Sequence, residues 1–373
     1  MPGTACISNR TPHQPFHGQP NRATEPDYST RRNRTATGRS GTRLSSPAAQ
    51  PDRCTLPIRI AQPDHHTELA RLTQPDQPRQ LNRAVTVRER YLDLQPAARL
   101  CILATLLAAT ALAADPTYFV QASDPQFGMF ADNANFQQET ANWTFAIANI
   151  NRLHPAFLVV TGDLTNKAGD ADQIAEYKRI NRSLDPAIHL YSVPGNHDQT
   201  NTPTPETVAA YRKNHGPDYY SFREPGIYGI VLNSTLFKAP ENVAAEEARE
   251  LQWLEAELPK AQASGATIAV FMHHAPFVSK VDEPSGENLP PEIRKTLLAL
   301  FHKYGVHYVF AGHLHKNATA SDGDLQIIIT CAAGRPLGDD PSGFRLAELT
   351  PSGIVNKYYG YGAIPNQLPD LTR

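Results

Sequence analysis

The sequence predicts an α/β domain that begins near Pro116, and three observations carry that expectation. From Pro116 onward short apolar runs of strand length alternate with amphipathic segments of helical period. Polar residues with metal-binding side chains gather where the apolar runs end, which is where ligands bind in sheets of this kind. The residues before it show neither pattern: up to position 90 the only aromatics are Phe16 and Tyr28, and Pro and polar residues dominate.

Tyr118 to Ala122 reads as the first strand. Asn133 to Leu153 reads as a helix, with Phe136, Trp143, Ile147 and Ile150 on one face, followed by a strand at Phe157 to Val160. Ile174, Tyr177 and Ile180 mark a second helix, and Tyr191-Ser192-Val193 a third strand stopped by Pro194-Gly195. Thr204-Pro205 has the form of an N-cap with Pro at the first helical position. Further strands are expected at Tyr228 to Leu232, Thr267 to Met272, His307 to Phe310 and Leu325 to Ile329, with helices near Glu246 to Ala263 and Glu292 to Tyr304.

The ends of the chain differ in charge. Residues 1–114 hold 15 Arg and no Lys against 8 acidic residues, a balance of +7, so the whole chain's −2 leaves −9 on the rest. A segment so poor in apolar residues cannot offset the entropy of ordering itself, and residues 1–95 read as a disordered extension. Its arginines are scattered and lack stacking aromatics, which argues against a nucleic-acid tether. Basic residues Arg88, Arg90 and Arg99, the apolar run Leu100 to Leu107 and the small-x-small site Ala111-Leu112-Ala113 together have the layout of a signal peptide over 96–114. The expected domains are thus the extension, this segment and a catalytic domain over 115–365, with translation starting near Val85 or Val87. Export to a periplasmic or extracellular space follows if the segment acts as a signal, and a cytoplasmic location otherwise. The run is too short for a comfortable membrane span. Cleavage would remove Cys6, Cys54 and Cys101, leaving Cys331, in a buried-strand pattern, as an inert core thiol.

Five strand ends carry the chemistry: Ser123-Asp124-Pro125-Gln126, Thr161-Gly162-Asp163, Gly195-Asn196-His197-Asp198, His273-His274-Ala275-Pro276 and Gly312-His313-Leu314-His315. Any one of them alone reads as an ordinary loop. Together they supply carboxylates able to bridge cations, imidazole nitrogens and amide oxygens, the donor set of a site for two divalent metals.

In order and type these motifs resemble those of the calcineurin-like metallophosphoesterase superfamily, from residue 117 to about 360. Asp124-Pro125-Gln126-Phe127-Gly128, Asn201 to Thr207 and Asp218 to Phe222 more narrowly resemble the calcineurin-like phosphoesterase domain-containing proteins described as serine/threonine phosphatases. The resemblance implies a four-layer α/β/β/α sandwich with two mixed sheets. It also implies a first metal held by Asp124, Asp163 and His315, and a second held by Asp163, Asn196, His274 and His313. His197 would be the general acid, oriented by Asp198. His273 would be a neighbour or a substrate contact. Gln126 stands where the common pattern has a histidine, so it is a weak ligand of the first metal or none; of Mn, Fe, Zn and Mg, an oxygen-richer site leans toward Mn or Mg rather than Zn.

The implied function is hydrolysis of a phosphate ester by metal-activated water, with a phosphorylated small molecule, a nucleotide or a phosphoprotein as substrate. The −9 of the domain argues against a long nucleic-acid track. The alternative is a metal-impaired protein that binds phospho-ligands on the same fold.

Overall fold

The computed structural model describes residues 116–373, and the expectations for the extension and the signal-like segment lie outside them. The described chain forms two mixed sheets. Strands β1 (Thr117–Ala122), β2 (Phe157–Thr161) and β3 (His189–Val193) run parallel, and a hairpin of β10 (Gly343–Thr350) and β11 (Gly353–Gly360) adds to the free edge of β1, in the order β11-β10-β1-β2-β3. The second sheet has the order β4-β5-β6-β7-β9-β8, built from β4 (Tyr220–Glu224), β5 (Ile227–Val231), β6 (Thr267–Phe271), β7 (Val306–Ala311), β8 (Ala318–Asp322) and β9 (Leu325–Ile329).

The sheets pack face to face on an aromatic layer. Phe119 stacks on Phe157 (centroids 4.7 Å apart) and meets Phe271 and Phe310 edge-on from the opposite sheet. Helices cover the outer faces. Those with an apolar stripe are α1 (Gln137–Leu153) and α2 (Ala171–Asn181), which share a core with the first sheet through Trp143, Ile147 and Tyr177. After the single turn α3 (Asn196–Gln199) come α4 (Pro205–His215) and α5 (Ser234–Lys238). Then α6 (Ala244–Ala263) and α7 (Pro291–Tyr304) cover the second sheet through Leu254, Leu258, Leu297 and Phe301. This is the four-layer α/β/β/α sandwich. No helix among the described residues is long and apolar enough to cross a membrane.

Three details differ from the sequence reading. Helix α1 starts at Gln137, not Asn133, because Asn133 sits at φ 64° and gives its side-chain oxygen to the amides of Asn166 and Gln173. The strands β4, β8, β10 and β11 lack the continuous apolar run used to find the others: β8 is Ala-Thr-Ala-Ser-Asp at a sheet edge, where one face meets solvent. The domain also continues past 365, since the Tyr118 hydroxyl donates to the Pro369 carbonyl (2.8 Å) and Leu368 and Leu371 pack on the first sheet's core.

Between the sheets runs a buried polar bridge. Gln121 Nε2 on β1 donates to Thr161 Oγ1 (3.0 Å) and to the Ala311 carbonyl on β7 (2.9 Å), while Gln121 Oε1 accepts from Thr330 Oγ1 (2.6 Å). The sheets are thereby held to one another next to the strand ends.

A second buried polar group has a stability consequence. Glu250 on α6 is fully buried; its Oε1 accepts from the Asn233 amide (2.6 Å) and its Oε2 has no partner. Burial, and then the charge of Asp218, push its carboxyl well above the usual range. The folded state therefore holds a proton that the unfolded state releases above the ordinary Glu pKa, so this group's contribution is full below that value and is lost as pH rises. Glu250→Gln mimics the protonated form. We expect it to melt like the parent below about pH 4 and to be more stable by about 1 kcal/mol or more at pH 7, as read by thermal melts across pH.

Candidate metal centre

The polar strand ends from both sheets meet at one edge of the sandwich. Backbone bonds continue the ladders beyond the last strand residues: Asp124 N–H to Gly162 O (3.1 Å), Gln126 N–H to Asp163 O (2.9 Å) and Gly312 N–H to His273 O (3.1 Å). The backbone there is unusual. Asp124, Gln126, Asp163, His313 and His315 all have φ between 40° and 69°, a region L-residues seldom occupy, and such strain gathers where side chains must converge. Two glycines make the approach possible. A Cβ on Gly162 (φ 92°) would overlap the His273 ring, and one on Gly312 would overlap Ser123 Oγ.

Asp124 and Asp163 are buried side by side with little to neutralise them except imidazoles. His273 Nε2 lies 3.3 Å from Asp163 Oδ2 and 4.0 Å from Asp124 Oδ1; His315 Nε2 lies 3.2 Å from Asp124 Oδ1. The other nitrogen of each ring is already committed. His273 Nδ1–H donates to the Thr161 carbonyl (2.8 Å) and His315 Nδ1–H to the Arg335 carbonyl (2.5 Å). In their neutral forms both rings thus present lone pairs to carboxylate oxygens, an arrangement that needs a cation between the acceptors.

Further oxygens are buried at the same strand ends. Asn196 Oδ1 is 3.0 Å from His273 Nε2, its amide nitrogen being given to Asn201 Oδ1 (2.7 Å). Asp124 Oδ1 and Gln126 Oε1 are buried without a hydrogen-bond partner. Gln126 is held in that orientation, because its Nε2 donates to Asn166 Oδ1 (3.1 Å) and Asn166 Nδ2 in turn donates to Asn133 Oδ1 (2.9 Å). Unpartnered buried oxygens facing lone-pair nitrogens fit divalent cations. Among the described residues the groups able to hold one are Asp124 with Asp163 and His273, and His273 with His274 and His313.

The histidine pair is read differently by the structure. The ring that enters between the carboxylates is that of His273, whereas the sequence motif singled out His274. Ser234 Oγ accepts both the His273 and His274 amides (3.1 and 2.8 Å), so its own hydrogen is left for His274 Nδ1 (3.2 Å). Burial, then the neighbouring His313 and His273, hold His274 well below its ordinary pKa and therefore neutral. His274 nevertheless stays within reach of a shared cation with His273 and His313. The spacing to Pro276 could not reveal which ring enters between the carboxylates, since both residues follow the end of β6 at Phe271 within three positions.

Asp198 also differs from expectation. Its carboxylate does not orient His197 but gathers the amides of Gly195 (2.9 Å), Leu164 (3.1 Å) and Thr165 (3.0 Å), tying the two turns together. Burial, and then the Asp163 charge, raise its carboxyl to about 7. The group that orients His197 is the Asn166 carbonyl, which accepts from Nδ1–H (2.9 Å), while the His197 amide donates to Asp163 Oδ1 (2.8 Å). Asn166 escapes sequence reading because its contribution is a backbone oxygen. Its position three residues after Asp163 is the only available signal.

A family model described as calcineurin-like phosphoesterase matches residues 117–317. The human serine/threonine-protein phosphatase CPPED1 is 36% identical over 262 residues, covering 65% of this chain and 83% of that one, and its Danio rerio counterpart is 35% identical over 265 residues, covering 65% and 84%. Among solved structures, the purple acid phosphatase PPD1 from yellow lupin shares the fold with a TM-score of 0.50 at 15% identity, covering 68% of this chain and 53% of that one.

Burial lowers the His273 pKa, but the charges of Asp163 and Asp124 override it and raise the value to about 9. At pH 7 a proton thus occupies the place of a cation, and an incoming metal must displace it. Metal titrations at pH 7 in buffers of different ionisation enthalpy are expected to show proton release, with affinity falling as pH is lowered. His273→Ala, whose ring stands between both carboxylates, is expected to lose bound metal, measured by elemental analysis.

Proposed function

The chain belongs to the calcineurin-like phosphoesterase family and is a metal-dependent hydrolase of phosphate esters; within that activity, we propose that it is a two-metal phosphomonoesterase in which His197 is the general acid. The observation that carries this reading is the placement of His197. Its main chain is fixed on Asp163 and its Nδ1–H on the Asn166 carbonyl, so the nitrogen left free to exchange a proton is Nε2. The ring is only half-buried, whereas Asn196 and Asp198 on either side are buried.

Asp124, Gln126, Asp163 and His315 would hold one divalent ion, and Asp163, Asn196, His273, His274 and His313 the other. When bound, such a pair polarises the phosphoryl oxygens and acidifies water. The chain's own part is to hold these groups rigid through bonds to Thr161, Arg335, Asn201 and Asn166, and to supply a proton to the departing oxygen from His197 Nε2. Two oxygen donors from Asp124 and Gln126 favour Mn or Mg at the first position over a softer ion. The relatives named serine/threonine-protein phosphatases support phosphoserine or phosphothreonine as the substrate class. Export through the 96–114 segment is proposed with it on the apolar run and the Ala111–Ala113 site, and a secreted form beginning at Ala114 is its readout.

His197→Ala is expected to keep its metal and to lose roughly a hundredfold or more in kcat on an alkyl phosphate such as phosphoserine. The loss should shrink on nitrophenyl phosphate, whose leaving oxygen needs no proton. Equal losses on both esters would refute the assignment. Turnover of a phosphodiester faster than of the matching monoester would refute the substrate class.

A further inference from the structure

The site's imidazoles are anchored on main-chain carbonyls in three cases and on side chains in two, His274 on Ser234 Oγ and His313 on Glu287. His197, His273 and His315 each rest a ring nitrogen on a main-chain carbonyl, but His313 rests its Nε2 on a side chain, Glu287 Oε2, at 2.8 Å. Glu287 lies on the loop between β6 and α7, and its side chain is 71% exposed. An exposed carboxylate is ordinarily a weak anchor, because holding a long side chain in one geometry offsets most of the gain.

Here the backbone on both sides of Glu287 is secured. Lys238 Nζ, at the end of α5, donates to the Gly286 carbonyl (2.5 Å) and to the Asn288 carbonyl (2.7 Å). The loop leading to it is closed on itself by Glu283, which gathers the amides of Val278 (2.6 Å) and Ser279 (3.0 Å), and by the buried Arg294, which donates to the Glu283 and Leu289 carbonyls (2.7 Å each). These bonds fix the backbone on both sides of residue 287, whose side chain reaches His313.

We propose that Glu287 is a positioning residue for the second divalent ion. By accepting the Nε2 hydrogen it leaves Nδ1 of His313 as the lone-pair nitrogen and fixes the ring 5.0 Å from that of His273, so that the two present donors to one ion. A carboxylate in this role also makes the imidazole a stronger donor than a carbonyl would. The inference rests on the reading of His313 as a ligand.

The test is calorimetric titration of metal-free protein with Mn²⁺, alongside the melting temperature of the metal-free form. Glu287→Ala is expected to weaken one of the two equivalents about tenfold or more, leaving the other equivalent and the metal-free melt unchanged. Glu287→Gln, which can still accept from Nε2 but carries no charge, is expected to fall between Ala and the parent. His313→Ala separates the two levels of the argument. If it abolishes one equivalent while Glu287→Ala changes neither, Glu287 has no positioning role and the ligand reading stands. If His313→Ala leaves both equivalents intact, the ligand reading fails and the inference with it. A Glu287→Ala protein that weakens both equivalents alike and melts lower without metal would show a structural role and overturn the proposal.

Discussion

Two carboxylates, Asp124 and Asp163, are buried together at the strand ends with histidine ring nitrogens turned toward them, and the local structure is arranged around that cost. An isolated buried carboxylate costs several kcal/mol, and its usual escape is to take up a proton. Neither does so here. Burial pushes both carboxyls up, but for Asp124 the His315 and His273 rings, and for Asp163 first the His273 ring, hold them below the ordinary range. The site keeps its negative charge and offers it to a cation.

Maintaining that charge requires rigid surroundings, since a loose loop would let the carboxylates turn out to water. Rigidity comes from the main chain more than from side chains. Five residues at the site sit at positive φ, each costing of order 1 kcal/mol or more, and they persist because backbone bonds such as Asp124 to Gly162 and Gln126 to Asp163 over-determine them. The same economy extends to the imidazoles, most of which are oriented by carbonyls that no substitution can remove. Asp198 belongs to this frame. Its carboxylate gathers three amides from two turns, which explains an acidic residue beside His197 without any role in proton transfer.

Because the ligating residues come from both sheets, their geometry depends on how the sheets register. The edge-on contacts of Phe119 with Phe271 and Phe310 set the spacing between the layers, and the Gln121 bridge to Ala311 and Thr330 prevents sliding beside the site. An apolar residue at Gln121 would keep the spacing but remove this side-chain bridge, leaving the Thr330 hydroxyl hydrogen without its acceptor. Gln126, read from sequence as a departure from the common pattern, becomes intelligible in this setting. Its amide is locked through Asn166 and Asn133 so that oxygen, and not nitrogen, is the free end.

The sequence by itself determined the α/β class and the loops that carry the chemistry, because period-2 and period-3.6 apolar patterns, Pro-Gly stops and the clustering of Asp, Asn and His at strand ends are local properties of the chain, while the layer order followed from the family resemblance. Core strands such as Phe157–Thr161 and Leu325–Ile329 were legible for that reason, while the edge strand Ala318–Asp322, with one face in solvent, carried no such run. Tertiary structure alone decided which of two adjacent histidines turns inward, because the deciding atoms, the Thr161 carbonyl and Ser234 Oγ, are 112 and 40 residues away from them in the chain. It also decided that Asn166 and not Asp198 orients His197, and that Glu287 reaches His313. A hydrogen bond depends on direction to within tens of degrees, and direction between distant segments is set only when the sheets and loops have packed.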